Sequence, residues 1–328
     1  MLAAFYTRTG PAGEVLNVGE IDTPSPGPGE VRVRIACSGV NPSDVKTRGG
    51  VRSRDLPFPR IVPHSDGAGA IDAVGAGVAA QRVGERVWVW NAAWGRPMGT
   101  AAQYVVLPAA QAVPLPPDTG FDAGACLGIP ALTAFHAVHC NGGVDGRTVL
   151  VAGGAGAVGH YAVQFAKLGG AGRVIATVSS DEKAALARSA GADATINYRT
   201  EDVAQRCLDL TGGTGVDRIV ELDLAANLRI DLAAIRRDGE ITVYGSGAPE
   251  IAVPFFPSIL KNVRLQFFIV YNLSEPDRAR AVDGVTALLA AGRLQHNIAR
   301  RLPLARVAEA HELVESGRAT GNVILDVP

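Results

Sequence analysis

Cysteine is scarce in this sequence, and its spacing excludes the common zinc modules. The 328 residues include four cysteines, Cys37, Cys126, Cys140 and Cys207, and no two of them form a C-x-x-C pair. Zinc fingers need such pairs, and small secreted scaffolds need a denser disulfide framework. We therefore expect free thiols in a reducing compartment.

Charge of one sign and long apolar runs are also lacking. Lys and Arg total 31 against 32 for Asp and Glu, without a basic block, which gives no support to nucleic-acid binding. No apolar run approaches the roughly 18 residues that a membrane helix needs. The segment 1–8 lacks the basic and apolar regions of a secretory signal. We expect a cytoplasmic protein with no nucleic-acid or membrane partner.

The first third of the sequence predicts β structure. The segment 30–36 alternates charged and apolar residues with period two, and three further short strands are predicted over 69–74, 86–90 and 102–106. Turn residues separate these segments, as in the Pro- and Gly-rich stretch 23–29. Short strands at this spacing predict a small barrel-like β domain.

A β-α alternation begins after two helical segments, 122–127 and 131–138. It predicts a doubly wound parallel sheet. The tail from about residue 275 contains two amphipathic helices and is expected to return to the first domain. The predicted strands are 149–153, 173–178, 194–198, 217–222, 240–245 and 263–270, with helices 157–168, 181–190, 201–210 and 227–236 and tail strands near 297–302 and 321–327.

A glycine turn joins the first of these strands to its helix. Gly154, Gly156 and Gly159 fit G-x-G-x-x-G, and Gly153 begins the related G-x-x-G-x-x-G spacing. Strand, glycine turn and helix in this order predict a pyrophosphate site, because backbone N–H groups and the helix dipole reach the ligand only where no Cβ intervenes. Glycine is abundant here, with 39 residues, so an ordinary glycine-rich turn is the alternative.

The end of the second strand indicates which dinucleotide binds. The strand ends Val178-Ser179-Ser180, without the acid that would hold both ribose hydroxyls of NAD. Asp181 and Glu182 follow at positions where the first turn of a helix favours acids. Ser179 and Lys183 are suited to a 2′-phosphate. We expect NADPH, with NADH as a competitor if Asp181 turns inward.

Motifs along nearly the whole chain resemble one family. The sequence is similar to the medium-chain dehydrogenase/reductase superfamily, and within it to the NADPH:quinone oxidoreductases of zeta-crystallin type. The resemblance implies an α/β protein, with a GroES-like β-barrel catalytic domain over 1–121 and 272–328 and a doubly wound Rossmann NADPH-binding domain over 122–271. The motifs that carry it are 36–44, 66–69, 84–87, 127–134, 153–159, 196–199, 305–311 and 316–322.

The resemblance also implies that no metal is bound. Zinc-dependent members of the superfamily hold their catalytic metal at positions that correspond here to Asn41, Ser65 and about Ile129. None of these is a good zinc ligand, since zinc prefers thiolate and imidazole. His136, His139 and Cys140 share a predicted helical face, but a metal there would need a further ligand that the sequence does not suggest.

The family's site residues transfer onto matching positions of this sequence. Asn41 and Thr133 are the expected catalytic residues beside the nicotinamide, although Asn41 could also be a turn residue before Pro42. Asp44 could cap the helix that follows. The expected cofactor-binding residues are Gly156, Ala157 and Val158 at the pyrophosphate, Ser179, Lys183, Tyr198 and Arg318 at the adenosine phosphate, Leu222, Tyr244, Gly245 and Ser246 along the cofactor, and Phe268, Ile269 and Val270 near the carboxamide.

Two departures from the family concern the acceptor. Lys46 stands where several relatives have Tyr, which favours a polar or anionic acceptor. His64 stands where quinone reductases usually have Gly. It could contact substrate or deliver a proton, and a local hydrogen-bonding role at the rim of the cleft is the other interpretation.

The expected activity is metal-free reduction of quinones by hydride transfer from NADPH. An enone or 2-alkenal reductase is the alternative enzyme, and a weakly catalytic NADPH-binding protein is the alternative of another class. The resemblance further implies a homodimer or homotetramer, with segment 263–270 pairing with its copy.

Overall fold

Two large sheets organise the chain, one in each of the units into which it divides, and β1 and β2 pair in a small separate sheet. The structure, a computed structural model, describes residues 1–51 and 53–328. The first unit comprises Met1–Pro130 and Val285–Pro328, and the second comprises Ala131–Gly284. Within the described residues, no helix combines the length and apolarity required to cross a bilayer.

The first unit opens with seven strands and three short helices. In β3 the alternate residues Val31, Val33 and Ile35 are buried, as the period-two pattern predicts. The strands are β1 (Leu2–Phe5), β2 (Asn17–Glu20), β3 (Glu30–Val40), β4 (Asp66–Val74), β5 (Arg86–Val89), β6 (Tyr104–Pro108) and β7 (Ala112–Pro114); the helices are α1 (Ala12–Val15), α2 (Pro42–Arg48) and α3 (Phe121–Gly124), with 3-10 turns at Ala80–Arg82 and Ala109–Gln111.

The second unit is a β-α alternation over a six-stranded sheet. Its elements are α4 (Leu132–His139), β8 (Thr148–Val151), α5 (Ala157–Leu168), β9 (Arg173–Val178), α6 (Asp181–Ser189), β10 (Ala194–Asn197), α7 (Val203–Leu210), β11 (Val216–Glu221), α8 (Leu224–Ala234), β12 (Ile235–Val243), α9 (Phe255–Ile259), β13 (Arg264–Phe267) and the 3-10 turn Val270–Asn272. All strand pairs are parallel, in the order β10-β9-β8-β11-β12-β13. This is the doubly wound order that the alternation predicts.

The tail joins the sheet of the first unit. Its elements are α10 (Glu275–Ala290), β14 (Ile298–Pro303), the 3-10 turn Leu304–Arg306, α11 (Val307–Glu315) and β15 (Asn322–Asp326). β15 pairs antiparallel with β3 and parallel with β14, giving the order β14-β15-β3-β4-β5-β7, with β6 also paired to β3. The GroES-like and Rossmann fold class is therefore confirmed.

Most predicted elements are present, and the boundaries differ where polar residues or proline intervene. The helix predicted over 227–236 begins at Leu224, and β12 starts at Ile235 rather than 240. Exposed Arg236, Arg237 and Asp238 hide the start of that strand from a pattern of apolar residues. The helix predicted over 122–127 ends at Gly124, and a π-helical turn, Leu127–Ala131, precedes α4. Pro130 lies in that turn, where it cannot donate a backbone hydrogen bond.

Candidate functional site

The glycine turn between β8 and α5 is held by the neighbouring strand β9. Gly153 N–H donates to Thr177 Oγ1 and Gly154 N–H to the Thr177 carbonyl, each over 3.0 Å. Gly153 has a φ of +64°, which glycine adopts without strain. A Cβ at Gly154 would lie 2.5 Å from Ala176 Cβ, and one at Gly159 would collide with the Gly153 carbonyl. The turn therefore requires glycine for close packing.

Gly156 is the N-cap of α5, and Ala157 and Val158 form its first turn. All three are partly exposed. The first N–H groups of a helix have no intrahelical acceptor and carry the positive end of the dipole. The structure thus places the three predicted pyrophosphate residues at one anion-accepting helix start.

The carboxyl end of β9 carries the predicted 2′-phosphate residues. Ser180 caps α6 by accepting from Lys183 N–H over 3.3 Å. Asp181 and Glu182 are exposed in the first turn of α6, so the prediction that they are ordinary first-turn acids is confirmed. Ser179 lies at the strand tip with 9% exposure, and Lys183 is half-buried one turn further on.

One aromatic residue, Tyr198, and one cation, Arg318, were also expected at the adenosine end of the cofactor. Tyr198 follows β10, is exposed, and donates its backbone N–H to the Val178 carbonyl over 3.1 Å, so it lies beside the tip of β9. Arg318 belongs to the first unit, is exposed, and donates Nε to Ser316 Oγ over 2.9 Å.

The turn after β11 packs directly on the glycine turn. Leu222 is 40% exposed, and a Cβ at Gly153 would lie 2.5 Å from its Cδ2 atom. A Cβ at Gly245 would collide with the Leu222 carbonyl. Tyr244 donates its backbone N–H to the Glu221 carbonyl over 3.1 Å, and Ser246 Oγ donates to the Ala248 carbonyl over 2.7 Å. The predicted residues 222 and 244–246 therefore lie together beside the glycine turn.

Phe268 and its neighbours form an apolar surface beyond β13. Phe268 donates its backbone N–H to the Val243 carbonyl over 3.1 Å, and its ring centroid lies 6.4 Å from that of Tyr244 and 4.7 Å from that of His136. Ile269 is half-buried and Val270 is buried. The segment predicted to lie near the carboxamide therefore packs beside Tyr244.

Helix α4 carries Thr133, His136 and His139, and Cys140 is its C-cap. Thr133 is buried in the first turn. His139 packs on Phe135 with ring centroids 4.3 Å apart, and burial lowers its pKa to about 4. Cys140 Sγ donates to the Ala137 carbonyl over 3.7 Å. Across residues 1–51 and 53–328 no group of three or more His, Cys, Asp or Glu is arranged to hold a metal.

Asn41 is the N-cap of α2 and is buried, with 3% exposure. Its backbone N–H donates to Asp44 Oδ2 over 2.8 Å, and the two residues form a capping box, so the expected turn and capping roles of both are confirmed. Its side-chain Nδ2 donates to Asp66 Oδ2 over 2.8 Å. Burial, with Asp44 nearby, raises the pKa of Asp66 well above its usual range.

The positions that correspond to zinc ligands do not fit a metal. The Asn41 amide is engaged with Asp66, Ser65 has 2% exposure, and Ile129 has no donor atom in its side chain. Zinc sites use thiolate, imidazole or carboxylate. The chemistry of these three side chains therefore argues against a zinc ion at this position.

His64 lies in the core and not at a rim. The expectation of a rim position is wrong, because the side chain has 0% exposure. Its Nδ1 lies 2.9 Å from Ser38 Oγ and its Nε2 lies 2.9 Å from Nε2 of His311. Its φ of +78° is in the left-handed region, which glycine adopts more readily than histidine. Burial lowers the pKa of both histidines, that of His311 to about 3.

Two known protein families match segments of this chain. Residues 157–287 match the family described as "Zinc-binding dehydrogenase", and residues 27–117 match "Alcohol dehydrogenase GroES-like domain". A 2-haloacrylate reductase from Burkholderia sp is 33% identical over 99% of this chain and 98% of its own length. The chain belongs to the medium-chain dehydrogenase/reductase superfamily.

Quinone oxidoreductases are also similar to this chain over nearly its whole length. Those from mammals and Pseudomonas aeruginosa are 28 to 32% identical over 93 to 95% of the chain and 92 to 95% of their own lengths. A crystal structure of Escherichia coli quinone oxidoreductase complexed with NADPH has a TM-score of 0.87 at 26% identity, covering 99% of this chain and all of the other. An NAD-dependent alcohol dehydrogenase has a TM-score of 0.91 at 32% identity over 100% of both chains. The chain is a member of the quinone oxidoreductase subfamily.

Sequence reasoning missed several residues that support the site. Asp66 lies in a recognised motif, yet its bond to Asn41 joins segments 25 residues apart. Glu221 ends the buried strand β11, and an acid at the end of an apolar run is the one local signal of its role. No sequence signal pairs His64 with His311, which are separated by 247 residues.

Proposed function

We propose that this reductase transfers a hydride from NADPH to a quinone without a catalytic metal. The observation that carries the proposal is the donor-poor set Asn41, Ser65 and Ile129, with the Asn41 amide bound to Asp66. Alcohol oxidation relies on a Lewis acid to stabilise an alkoxide, whereas a quinone is already electrophilic and its reduced oxygen is delocalised. A site without metal ligands therefore suits a quinone better than an alcohol.

The assignment of NADPH rests on the end of β9. Ser179, Lys183 and Tyr198 surround a strand tip that lacks an acid on the strand itself, and Arg318 is the fourth residue proposed for the 2′-phosphate. The Escherichia coli relative was crystallised with NADPH. The NAD-dependent structural relative makes NADH the comparison that must be measured.

The residues of this chain bind and orient the cofactor. When bound, NADPH supplies the hydride. Gly156, Ala157 and Val158 are proposed to hold the pyrophosphate at the start of α5, where backbone N–H groups lack helical partners. Leu222, Tyr244, Gly245 and Ser246 are proposed to line the cofactor, and Phe268, Ile269 and Val270 to keep water from the nicotinamide.

Asn41 and Thr133 are the proposed catalytic residues. One amide hydrogen of Asn41 is used by Asp66, so the second is the one proposed to bind an acceptor oxygen. Thr133, at the start of α4, is proposed to contact the nicotinamide side with its hydroxyl.

The decisive experiment measures NADPH oxidation with a panel of quinones and a panel of 2-alkenals and 2-alkenoates. Turnover with quinones at the higher kcat/KM supports the proposal, and preference for the alkenes replaces it with the double-bond reductase. Tight NADPH binding without turnover on either panel would instead identify a weakly catalytic NADPH-binding protein.

The position of Lys46 favours reduction of an anionic alkene as the second candidate function. It is exposed in the last turn of α2, the helix that Asn41 caps, and the Burkholderia relative is named for a carboxylate substrate. We expect Lys46→Met to raise KM about tenfold for a 2-alkenoate and to leave KM for a neutral quinone unchanged. Equal effects on both acceptors would count against a charge-recognition role.

The exposed edge of the second unit supports a homodimer. β13 is the last strand of its sheet, and Phe267 on it is 58% exposed. Phe256 and Leu260 nearby in sequence are 71% and 70% exposed. Stable proteins cover edge strands and contiguous apolar residues of this kind. We propose that a second copy of the same edge covers them here. A homotetramer would need a further interface.

A further inference from the structure

Two buried carboxyl groups meet beneath the turn that follows β11. Glu221, the last residue of β11, has 0% exposure, and Asp231 in α8 has 2%. The Glu221 carboxyl lies close enough to that of Asp231 to raise its pKa, both through its charge and as a hydrogen-bond acceptor for the Asp231 proton. Two ionised carboxylates in contact at this depth are strongly disfavoured, both by desolvation and by repulsion.

The remaining contacts indicate how the pair is protonated. Glu221 Oε1 accepts from the backbone N–H of Asp223 and from Asn227 Nδ2, the latter over 3.0 Å. The other oxygen of each acid, Glu221 Oε2 and Asp231 Oδ2, is buried without a donor among the described residues. One proton on Asp231, donated to Glu221 Oε2, satisfies both oxygens, since a protonated carboxyl is a donor.

The turn that Glu221 holds is the one that packs on the glycine turn. Glu221 Oε1 accepts from the backbone N–H of Asp223, which fixes the peptide that follows Leu222. The Leu222 side chain covers Gly153, and its carbonyl lies against Gly245. A change in the Glu221 carboxyl would therefore move the backbone that borders the pyrophosphate site.

We propose that Glu221 and Asp231 share one proton, and that this proton holds residues 222–224 in the conformation that binds NADPH. Both are positioning residues, because they act through the backbone of Leu222 and Asp223. The inference rests on the proposed function, in which Leu222 lines the cofactor.

The shared proton is lost at mildly alkaline pH. Burial, with Glu221 beside it, raises the pKa of Asp231 to about 8, and burial also raises the pKa of Glu221. Above that pH, two buried charges replace one shared proton. NADPH binding should then weaken about tenfold per pH unit, because the competent fraction falls by that factor.

Other groups around the pair do not titrate in the same range. On α7, burial and Asp231 raise the pKa of Cys207 to about 12, while Arg206 on the same helix acts to lower it. After β12, burial raises the pKa of Tyr244 above its usual range. Asp223 Oδ1, in the turn, accepts from Gly247 N–H over 2.7 Å.

The test compares NADPH Kd between pH 6.5 and 9.5 for wild type and Asp231→Asn. The asparagine amide donates to Glu221 Oε2 at every pH, so we expect binding equal to wild type at pH 6.5 and at least fivefold tighter than wild type at pH 9.5. Asp209→Asn removes the same charge from a half-exposed site on α7 and should follow wild type. Parallel pH profiles for wild type and Asp231→Asn would overturn the proposal.

Unfolding of the protein without cofactor separates this proposal from the proposed function. In the folded state the pKa of Asp231 is raised, so the unfolded chain binds fewer protons between about pH 4 and 8 and stability falls as pH rises through that window. Asp231→Asn should have the flatter dependence of melting temperature on pH, and equal slopes would overturn the shared proton. If NADPH fails to bind at pH 6.5 while these slopes differ, the proposed function fails and the shared proton stands.

Discussion

Asn41 and Asp66 are joined by a hydrogen bond of 2.8 Å between Nδ2 and Oδ2, with both side chains buried. The bond anchors the start of α2 to the start of β4. A Cβ at Gly128 would lie 2.4 Å from Asp66 Oδ1, so the carboxyl also packs against the turn that contains Ile129. One carboxyl group therefore holds Asn41 and lies beside the segment of Ile129.

Replacing Asp66 should disturb Asn41 more than it disturbs the fold. Asp66→Ala leaves the Asn41 amide without its buried acceptor, so we expect the free energy of unfolding to fall by about 1–3 kcal/mol. We also expect kcat to fall at least tenfold, with little change in NADPH Kd. Urea unfolding and steady-state kinetics measure these effects.

Asp66→Asn is the matched control for that change. It keeps the size of the side chain and one acceptor oxygen, so it should retain most of the stability and part of kcat. An alanine variant with wild-type kcat would show that Asn41 does not depend on Asp66.

The buried pair of His64 and His311 should make the protein sensitive to acid. The Thr100 hydroxyl donates to the Asp66 carbonyl, so it accepts from Ser38, and Ser38 accepts from His64 Nδ1. His64 Nε2 therefore accepts from His311 Nε2–H. This direction of donation requires the His64 ring to be neutral, and burial disfavours a second proton on His311.

The pKa of each histidine is lowered by burial, that of His311 to about 3, so the unfolded chain binds more protons below pH 6.5. Stability is complete above pH 6.5 and is lost as pH falls, by about 1.4 kcal/mol per pH unit for each ring. His311→Gln can still donate to His64 and removes one titrating group. We expect this variant to take up about one proton fewer than wild type on unfolding between pH 6.5 and 4.5, so its unfolding free energy should depend less steeply on pH. An unchanged slope would contradict the pairing.

Lys183 should distinguish the two dinucleotides. It is half-buried in the first turn of α6, beside the acid-free tip of β9. We expect Lys183→Ala to weaken NADPH at least tenfold and NADH less than twofold, because only NADPH carries the 2′-phosphate. Titration by cofactor fluorescence gives both Kd values. Arg188→Ala on the same helix is the control, since Arg188 is exposed and donates to Thr195 Oγ1; equal losses for both cofactors in Lys183→Ala would rule out the phosphate role.

The exposed aromatic residues near β13 should control the oligomeric state. Phe256 has 71% exposure in the second unit, and a charge there would be buried in the proposed homodimer. We expect Phe256→Glu to be monomeric by light scattering at concentrations where wild type is dimeric. Val83→Glu, at a 51% exposed position of the first unit, should leave the mass unchanged. A dimeric Phe256→Glu variant would place the interface elsewhere.

Local pattern was sufficient for the elements of the second unit. The helix predicted over 157–168 and the strand predicted over 173–178 have the observed limits. Apolar periodicity and glycine spacing are properties of consecutive residues, so they can be recognised without knowledge of the fold. The strand at 235–239 was missed because its residues are mostly exposed and charged, and its hydrogen-bond partners on β11 lie about 20 residues away.

The sequence by itself determined the phosphate turn, the acid-free strand end and the absence of zinc-type donors at Asn41, Ser65 and Ile129, since each depends on residue type and local order. Only the tertiary structure decided that His64 is buried against His311, that Asp66 holds Asn41, and that Glu221 and Asp231 meet. Hydrogen bonds between distant segments follow from how sheets and helices pack, and a single sequence carries no local signal for them. The chemistry of the site is thus encoded locally, while its orientation is set by contacts between residues far apart in the chain.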